Sequence, residues 1–378
     1  MKAATFIIEN NDWQKHPMST LDDDATAQLV LCFGSKNELQ KNTVFSMLSQ
    51  KFPIAEIALC SSSGEIYQEN VYDCSLVVTA LQFDKTNINT CSVNIKDFDS
   101  TYAASIALAQ KLSKEDLAYV LVFSDGTLVN GSELVKGLTT QIDHNILVTG
   151  GLAGDGEQFE STVVGINNVP EQGQIVAIGF YGSNLKITHG SQGGWDIFGL
   201  EKRVTRSNGN ILVDLENQNA LDIYKKYLGE ESKNLPGSAL RFPLSVIAPN
   251  AKEPVVRTIL SVNEKEKTMS FAGDIPLGST VRLMKTTIER VTSAAAEAAA
   301  YTCPNNTKPQ FSLLISCVGR KIVLGSRTKE EIAAVSNTFN NEVLLAGFYS
   351  YGEISPFNNG GTCQLHNQTM TITSFYER

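Results

Sequence analysis

Two short stretches of this chain have residue types and spacing suited to holding a small polar ligand. Ser62-Ser63-Gly64-Glu65-Ile66 and Ser350-Tyr351-Gly352-Glu353-Ile354 both read Ser-x-Gly-Glu-Ile. Each follows a short apolar run, 54–59 in one case and 343–346 in the other, so each sits where a buried strand gives way to a loop. Main-chain amides around such a glycine and the adjoining carboxylate can converge on one ligand group, and the carboxylate suits an amine or another cation. Ser63, Gly64, Glu65, Tyr349, Ser350, Gly352 and Glu353 are therefore candidate ligand-binding residues. The same glycines can equally supply turn conformations while the acids cap nearby amides. Two further acidic glycine loops, Gly150-Gly151-Leu152-Ala153-Gly154-Asp155-Gly156 and Phe271-Ala272-Gly273-Asp274, add Gly154 and Asp155 to the candidates. Together the four loops are expected to frame a pocket at a domain interface.

Of the four histidines, His16 and His144 fall in polar surroundings and are expected at the surface. His366, in Leu365-His366-Asn367-Gln368-Thr369, comes twelve residues after Ile354 and can fold back over the Gly-Glu-Ile loop. His189 follows a strand in a glycine-rich stretch, with Trp195 and Phe198 close behind. Small residues permit close approach and aromatic rings pack on a flat ligand, a setting that suits an axial haem ligand. A hydrogen-bonded structural histidine fits both positions as well. Cys60 or Ser63 with His366 would make a nucleophile and base pair, and Cys363 is a further thiol, but no spacing requires such chemistry. The chain has no Gly-x-Ser-x-Gly elbow, P-loop, dinucleotide fingerprint or paired-histidine metal motif, so no catalytic residue is assigned and no enzymatic activity is expected.

The elements that would position these residues follow one grammar. A strand from Ala27 to Phe33, a capped helix beginning at Ser35-Lys36-Asn37-Glu38 and a strand at Ile54 form the first unit. Ala118 to Phe123, the cap Asn130-Gly131-Ser132-Glu133 and Ile146 to Val148 repeat it. Phe311 to Ser316, the cap Thr328-Lys329-Glu330-Glu331 and Val343 to Ala346 repeat it again. Three such units predict an α/β fold of repeated strand-helix-strand units with mixed sheets. Longer spans after Gly64 and after Gly273 also match, which points to two related, pseudo-twofold domains. Hairpins around Gly182-Ser183-Asn184 and Ser207-Asn208-Gly209-Asn210 lie between them. The expected organisation is an N-terminal arm or first edge element over 1–25, one domain over 26–214 and a second over 215–378.

The 378 residues are 42% hydrophobic with a formal net charge of −9, and the 31 basic residues form no run. Nucleic-acid binding is not expected. No apolar segment approaches a membrane span or a leader, so no membrane insertion and a cytoplasmic location are expected. Seven widely spaced cysteines without Cys-x-x-Cys read as reduced thiols.

Leu121-Val122-Phe123-Ser124-Asp125-Gly126 leading to the Gly150–Asp155 loop resembles the N-terminal FIST sensory domain. Phe271-Ala272-Gly273-Asp274, Cys317-Val318-Gly319-Arg320, Gly347 to Ile354 and His366-Asn367-Gln368-Thr369 resemble its C-terminal partner. The resemblance implies a signal-input module for a small molecule. At this length the chain resembles the NosP family of haem-binding nitric-oxide sensors. That likeness implies haem b as cofactor, nitric oxide as a gas ligand, and a separate histidine kinase or a diguanylate cyclase or phosphodiesterase of cyclic-di-GMP as partner. His189 or His366 would then hold the haem iron as alternatives, with Trp195 and Phe198 against the cofactor and Arg203, Arg206, Arg257 or Arg282 serving its propionates. A haem-free module binding an amino acid or another small polar metabolite is the alternative. A homo-oligomer is left open.

Overall fold

Three parallel strand pairs set the framework of the computed structural model, which describes residues 1–9, 12–249, 251, 253–304, 307–357 and 361–377. They are Leu29–Gly34 with Glu56–Ser61, Leu117–Ser124 with Leu147–Leu152, and Phe311–Cys317 with Leu344–Ser350. Helices cross between the members of each pair, as the three units read from the sequence require. Ser35 Oγ accepts from Glu38 N, and Asn130 Oδ1 accepts from the N–H groups of Ser132 and Glu133, so two of the expected caps form. The third does not. Arg327 occupies the cap position without a side-chain capping bond, and Thr328 is the first helical residue. Glu331 turns inward instead and meets the buried Arg320 guanidinium. Arg320 belongs to an extra helix, Val318–Leu324, that a seven-residue pattern did not disclose.

Each pair lies inside a six-stranded mixed sheet, with a further strand on either side. The strand that follows each pair leaves its own sheet and joins the next one. Glu65–Tyr67 pairs with Leu344–Ser350, Gly352–Pro356 pairs with Leu147–Leu152, and Val164–Ile166 pairs with Glu56–Ser61. The exchange closes a cycle, so at the level of sheets the repetition is threefold. Of residues 1–25, expected as an arm or a first edge element, two strands form one edge of the first sheet. Lys2–Glu9 pairs with Leu76–Gln82 on one side and Asp12–Lys15 on the other. Its run Ala3-Ala4-Thr5-Phe6-Ile7-Ile8 is fully buried, and the acidic stretch at 22–24 had masked that apolar segment.

The inner faces of the three sheets meet in one core. Phe33 stacks on Phe348 at 4.7 Å, and Phe123 stands edge-on to both. Such offset and edge contacts are the favoured geometries for aromatic rings. The helices cover the outer faces and form separate apolar layers with them. Residues 196–285 build an eight-stranded sheet with its own core, against which the helix Ala220–Leu228 packs. This sheet straddles position 215, because Asp196–Asn208 and Ile211–Leu215 are paired within it. No helix among the described residues is long and apolar enough to cross a membrane.

Candidate functional site

The three exchanged strands start at one pole of the molecule, where their ends are tied in a ring. Ser63 N donates to Tyr349 O at 2.8 Å, Gly154 N to Ser61 O at 2.9 Å, and Tyr351 N to Leu152 O at 3.1 Å. Three of the four glycine loops singled out in the sequence therefore converge, and they occupy equivalent positions. In two of them the glycine is followed by a buried glutamate. Glu65 accepts from Ser62 Oγ through one oxygen and from Ser75 N and Oγ, at 3.1 and 2.9 Å, through the other. Glu353 repeats this with Ser350 Oγ at 2.7 Å and with Thr369 N and Oγ1 at 3.1 and 2.8 Å. Burial pushes both carboxyls up to about 7, against the pull of these donors. Both side chains are thus spent on their own chain and knit strand ends together. Tyr349 donates to Glu331, and Gly64 lies beneath Lys321, whose Nζ donates to Ser63 O at 2.8 Å. Ser63 borders a depression of about 380 Å³ beside Lys321.

The third equivalent position departs from this pattern, and a cleft opens beside it. Asp155 stands where the other two loops have glycine, and it accepts from Phe159 N, Glu160 N, Ser161 N and the Tyr351 hydroxyl. The loop so formed holds Phe159 at φ +54°. A bulky residue kept in that region costs about 1–3 kcal/mol, a strain that concentrates where structure serves function. The Phe159 ring is 38% exposed and stacks on Tyr351 at 4.5 Å.

The cleft encloses about 370 Å³. Phe159, Tyr351 and Leu152 form one wall, and the segment 126–131 forms another. The eight-stranded sheet supplies the third through Asn210, Leu260 and 271–273. Segments 126–131 and Leu152 follow the carboxyl ends of two parallel strands, the usual place for ligands in α/β sheets. Asp125 shapes the 126–131 segment by accepting from Thr127 N and Leu128 N at 2.7 Å and from Gly173 N at 2.9 Å. The fourth glycine loop clamps the two bodies: Asn130 Nδ2 donates to Asp274 Oδ1 at 3.2 Å, and Asp274 N to Ser132 Oγ. Of the residues expected to bind ligand, none lines this cleft. Asp155 acts one bond away through Tyr351 and Phe159, while Gly154 packs against Ser63. Sequence reasoning took Asn130 only as a cap and left Phe159, Asn210 and Leu260 unmarked. Three of the glycine loops do reach the cleft, through Leu152, Tyr351 and 271–273, and Asp125-Gly126 directly after a strand was a further local signal.

His189 and His366 are buried and come close to one another behind the second sheet's edge. His189 Nε2 donates to Pro356 O at 2.8 Å and His366 Nε2 to Ser355 O at 2.9 Å, while neither Nδ1 has a hydrogen-bond partner among the described residues. Burial lowers His189 to about 4 and His366 to about 3, so both rings are neutral. Phe357 stands edge-on to His366, and Trp195 donates to Gln368 O. Phe198 packs instead on Phe242 in the eight-stranded unit. Neither histidine borders the cleft, the Lys321 depression or the groove around 142–146. Arg257, the buried arginine beside them, gives its hydrogen bonds to the carbonyls of Asp274, Val256 and Leu365, and Arg206 pairs with Asp214 at the surface. Among the described residues, none of these cavities reaches either ring and Arg257 is turned onto carbonyls, an arrangement that does not fit a haem. His144 is exposed as expected, whereas His16 is half-buried against Tyr67. No group of three or more metal-ligating side chains occurs among the described residues.

Family models place these features in context. The FIST N domain matches residues 28–218 and the FIST C domain matches residues 220–356. A curated relative, uncharacterized protein MJ1623 of Methanocaldococcus jannaschii, is 23% identical over 359 residues, which is 86% of this chain. The chain spans 66% of that relative's length. A solved structure described as "Cyanuric acid hydrolase: evolutionary innovation by structural concatenation" aligns over 100% of this chain and 99% of its own, at 11% identity and a TM-score of 0.32. The chain belongs to the FIST family, whose domains are in general sensory domains for small ligands.

Proposed function

We propose that this protein senses a small molecule held in the cleft between the three-sheet body and the eight-stranded sheet. The observation that carries this reading is the cleft itself: about 370 Å³, shared by both FIST domains, with a strained aromatic residue at its rim. That volume lies in the range of ordinary ligand sites. A ligand touching both bodies favours whichever arrangement brings them together, and a difference in affinity between two arrangements is what turns binding into a signal. A separate output protein would read that arrangement. A thermal-shift screen tests the reading, because a ligand that binds only the folded state raises the melting temperature. Hits should lose their effect in Leu260→Trp, which fills the cleft, and keep it in Lys321→Ala, which alters the depression near Ser63. Hits indifferent to Leu260→Trp would place the ligand elsewhere.

Haem-based nitric-oxide sensing, with output through a histidine kinase or a cyclic-di-GMP enzyme, is the narrower reading that the resemblance offers. Its supporting observation is the pair of neutral imidazoles with bare Nδ1 atoms. As they stand, the described residues around both rings do not fit that group. The absorption spectrum of purified protein titrated with haemin decides the point. A stoichiometric Soret band lost in His189→Ala or His366→Ala would restore that reading and require the second sheet's edge to open.

A further inference from the structure

We infer that the cleft selects an uncharged, flat ligand with both apolar and neutral polar surface, an inference that rests on the cleft being the sensory site. Among the described residues, no Asp, Glu, Lys, Arg or His side chain lines it. Leu128, Val129, Leu152, Leu260 and Phe271 give apolar surface, and the stacked Phe159–Tyr351 pair gives a planar wall. Thr127, Asn130 and Asn210 with the main chain of two glycine segments provide a neutral set of donors and acceptors. A charged ligand there would lose water without gaining a counter-ion, and ions buried in that way are strongly disfavoured.

The charges behind the walls do not change this, because each is already turned onto the protein. Asp125 holds the amides of Thr127, Leu128 and Gly173, and Asp155 holds those of 159–161. Arg257 lies under Gly273 and donates to three carbonyls. The helix Gly131–Gln141 begins at the cleft and would by its dipole favour an anion. Its first amides, however, are already capped by Asn130 Oδ1, and Asp274 sits beside that cap. The feature that would attract an anion is therefore satisfied and flanked by a negative charge.

Benzamide, benzoate and benzamidine test this directly, since they share ring and size and differ in being neutral, anionic and cationic. Their binding to the full chain would be measured by saturation-transfer NMR. Benzamide should bind while both ions bind roughly ten-fold more weakly or not at all. Leu260→Trp should abolish benzamide binding, and Leu260→Arg should turn the preference towards benzoate. Benzoate or benzamidine binding as tightly as benzamide, and lost in Leu260→Trp, would overturn the neutral-ligand inference and leave the cleft as the site. Binding of all three that ignores Leu260→Trp, or no binding by any of them, would overturn both.

Discussion

Glu65 and Glu353 occupy equivalent places in the ring of strand ends, and their chemistry makes a stability prediction of definite sign. Each carboxyl is raised from 4.5 to about 7 by burial. Between those values the native chain keeps protons that the unfolded chain has lost, so stability falls as pH rises from about 4.5 through about 7. The buried histidines act oppositely: with folded values of about 4 and about 3, they take stability away as pH falls below about 6.5. A difference profile separates the two. Glu65→Gln and Glu353→Gln each keep a side chain that can accept from Ser75 or Thr369 and donate to Ser62 or Ser350. Each variant should gain on the order of 2 kcal/mol over the parent at about pH 8, shrinking towards zero near pH 5. Parallel denaturation profiles for variant and parent across that range would show that these carboxyls do not titrate there.

At the scale of elements, glycines decide how closely the strands pack. Gly150 and Gly347 sit inside strands at equivalent positions, and a Cβ on either would overlap a carbonyl oxygen of the parallel neighbour, Val122 or Leu314. Gly150→Ala and Gly347→Ala should each destabilise the chain by about 3 kcal/mol, measured by urea unfolding, because the strand pair cannot open without moving its sheet. A loss below about 0.5 kcal/mol, the usual surface value, would mean that the strands adjust freely. These same glycines show where legibility ended. Alternating apolar runs and the caps at Ser35 and Asn130 announced the parallel pairs, since both signals are local. Gly150-Gly151 and Gly347 read as loop because glycine lacks the side chain that marks a strand, yet both strands run on to Leu152 and Ser350. Glu331 read as part of a cap because a helix-start pattern is the same whether its acid faces water or Arg320. The pole was visible as a repeated Ser-x-Gly-Glu-Ile, but its glutamates bond their own chain. The cleft was visible only in outline: three of the glycine loops expected to frame an interface pocket give it Leu152, Tyr351 and 271–273, but Phe159, Asn210 and Leu260 come from segments far apart in sequence that carry no motif.

The whole molecule is organised by strand exchange, and this bears on whether its two halves can stand alone. The second sheet, built on Leu117–Ser124 and Leu147–Leu152, takes its edge from Gly352–Pro356 and Cys363–His366. In return, residues before position 215 supply Glu65–Tyr67 and Leu185–Gln192 to the third sheet. The central core draws Phe33, Phe123 and Phe348 from three different sheets. A fragment of 1–214 would expose Leu152 and the apolar faces of Phe33 and Phe123, and it would leave Leu147–Leu152, Glu65–Tyr67 and Leu185–Gln192 without their partners from the second half. Exposed edges of that kind associate rather than stay soluble. Fragment 1–214 should therefore show no cooperative thermal transition by itself, and mixing it with 215–378 during refolding should restore one. The eight-stranded unit has its own core and meets the rest across the cleft, so its amides should exchange hydrogen faster than those of Leu147–Leu152 and Gly352–Pro356. Those two strands should exchange alike, since neither pairing survives opening of the cycle. A cooperative, monomeric melt of 1–214 alone would show that the exchanged strands decorate two independent domains, and the cleft would then lie between units free to move without breaking the cycle.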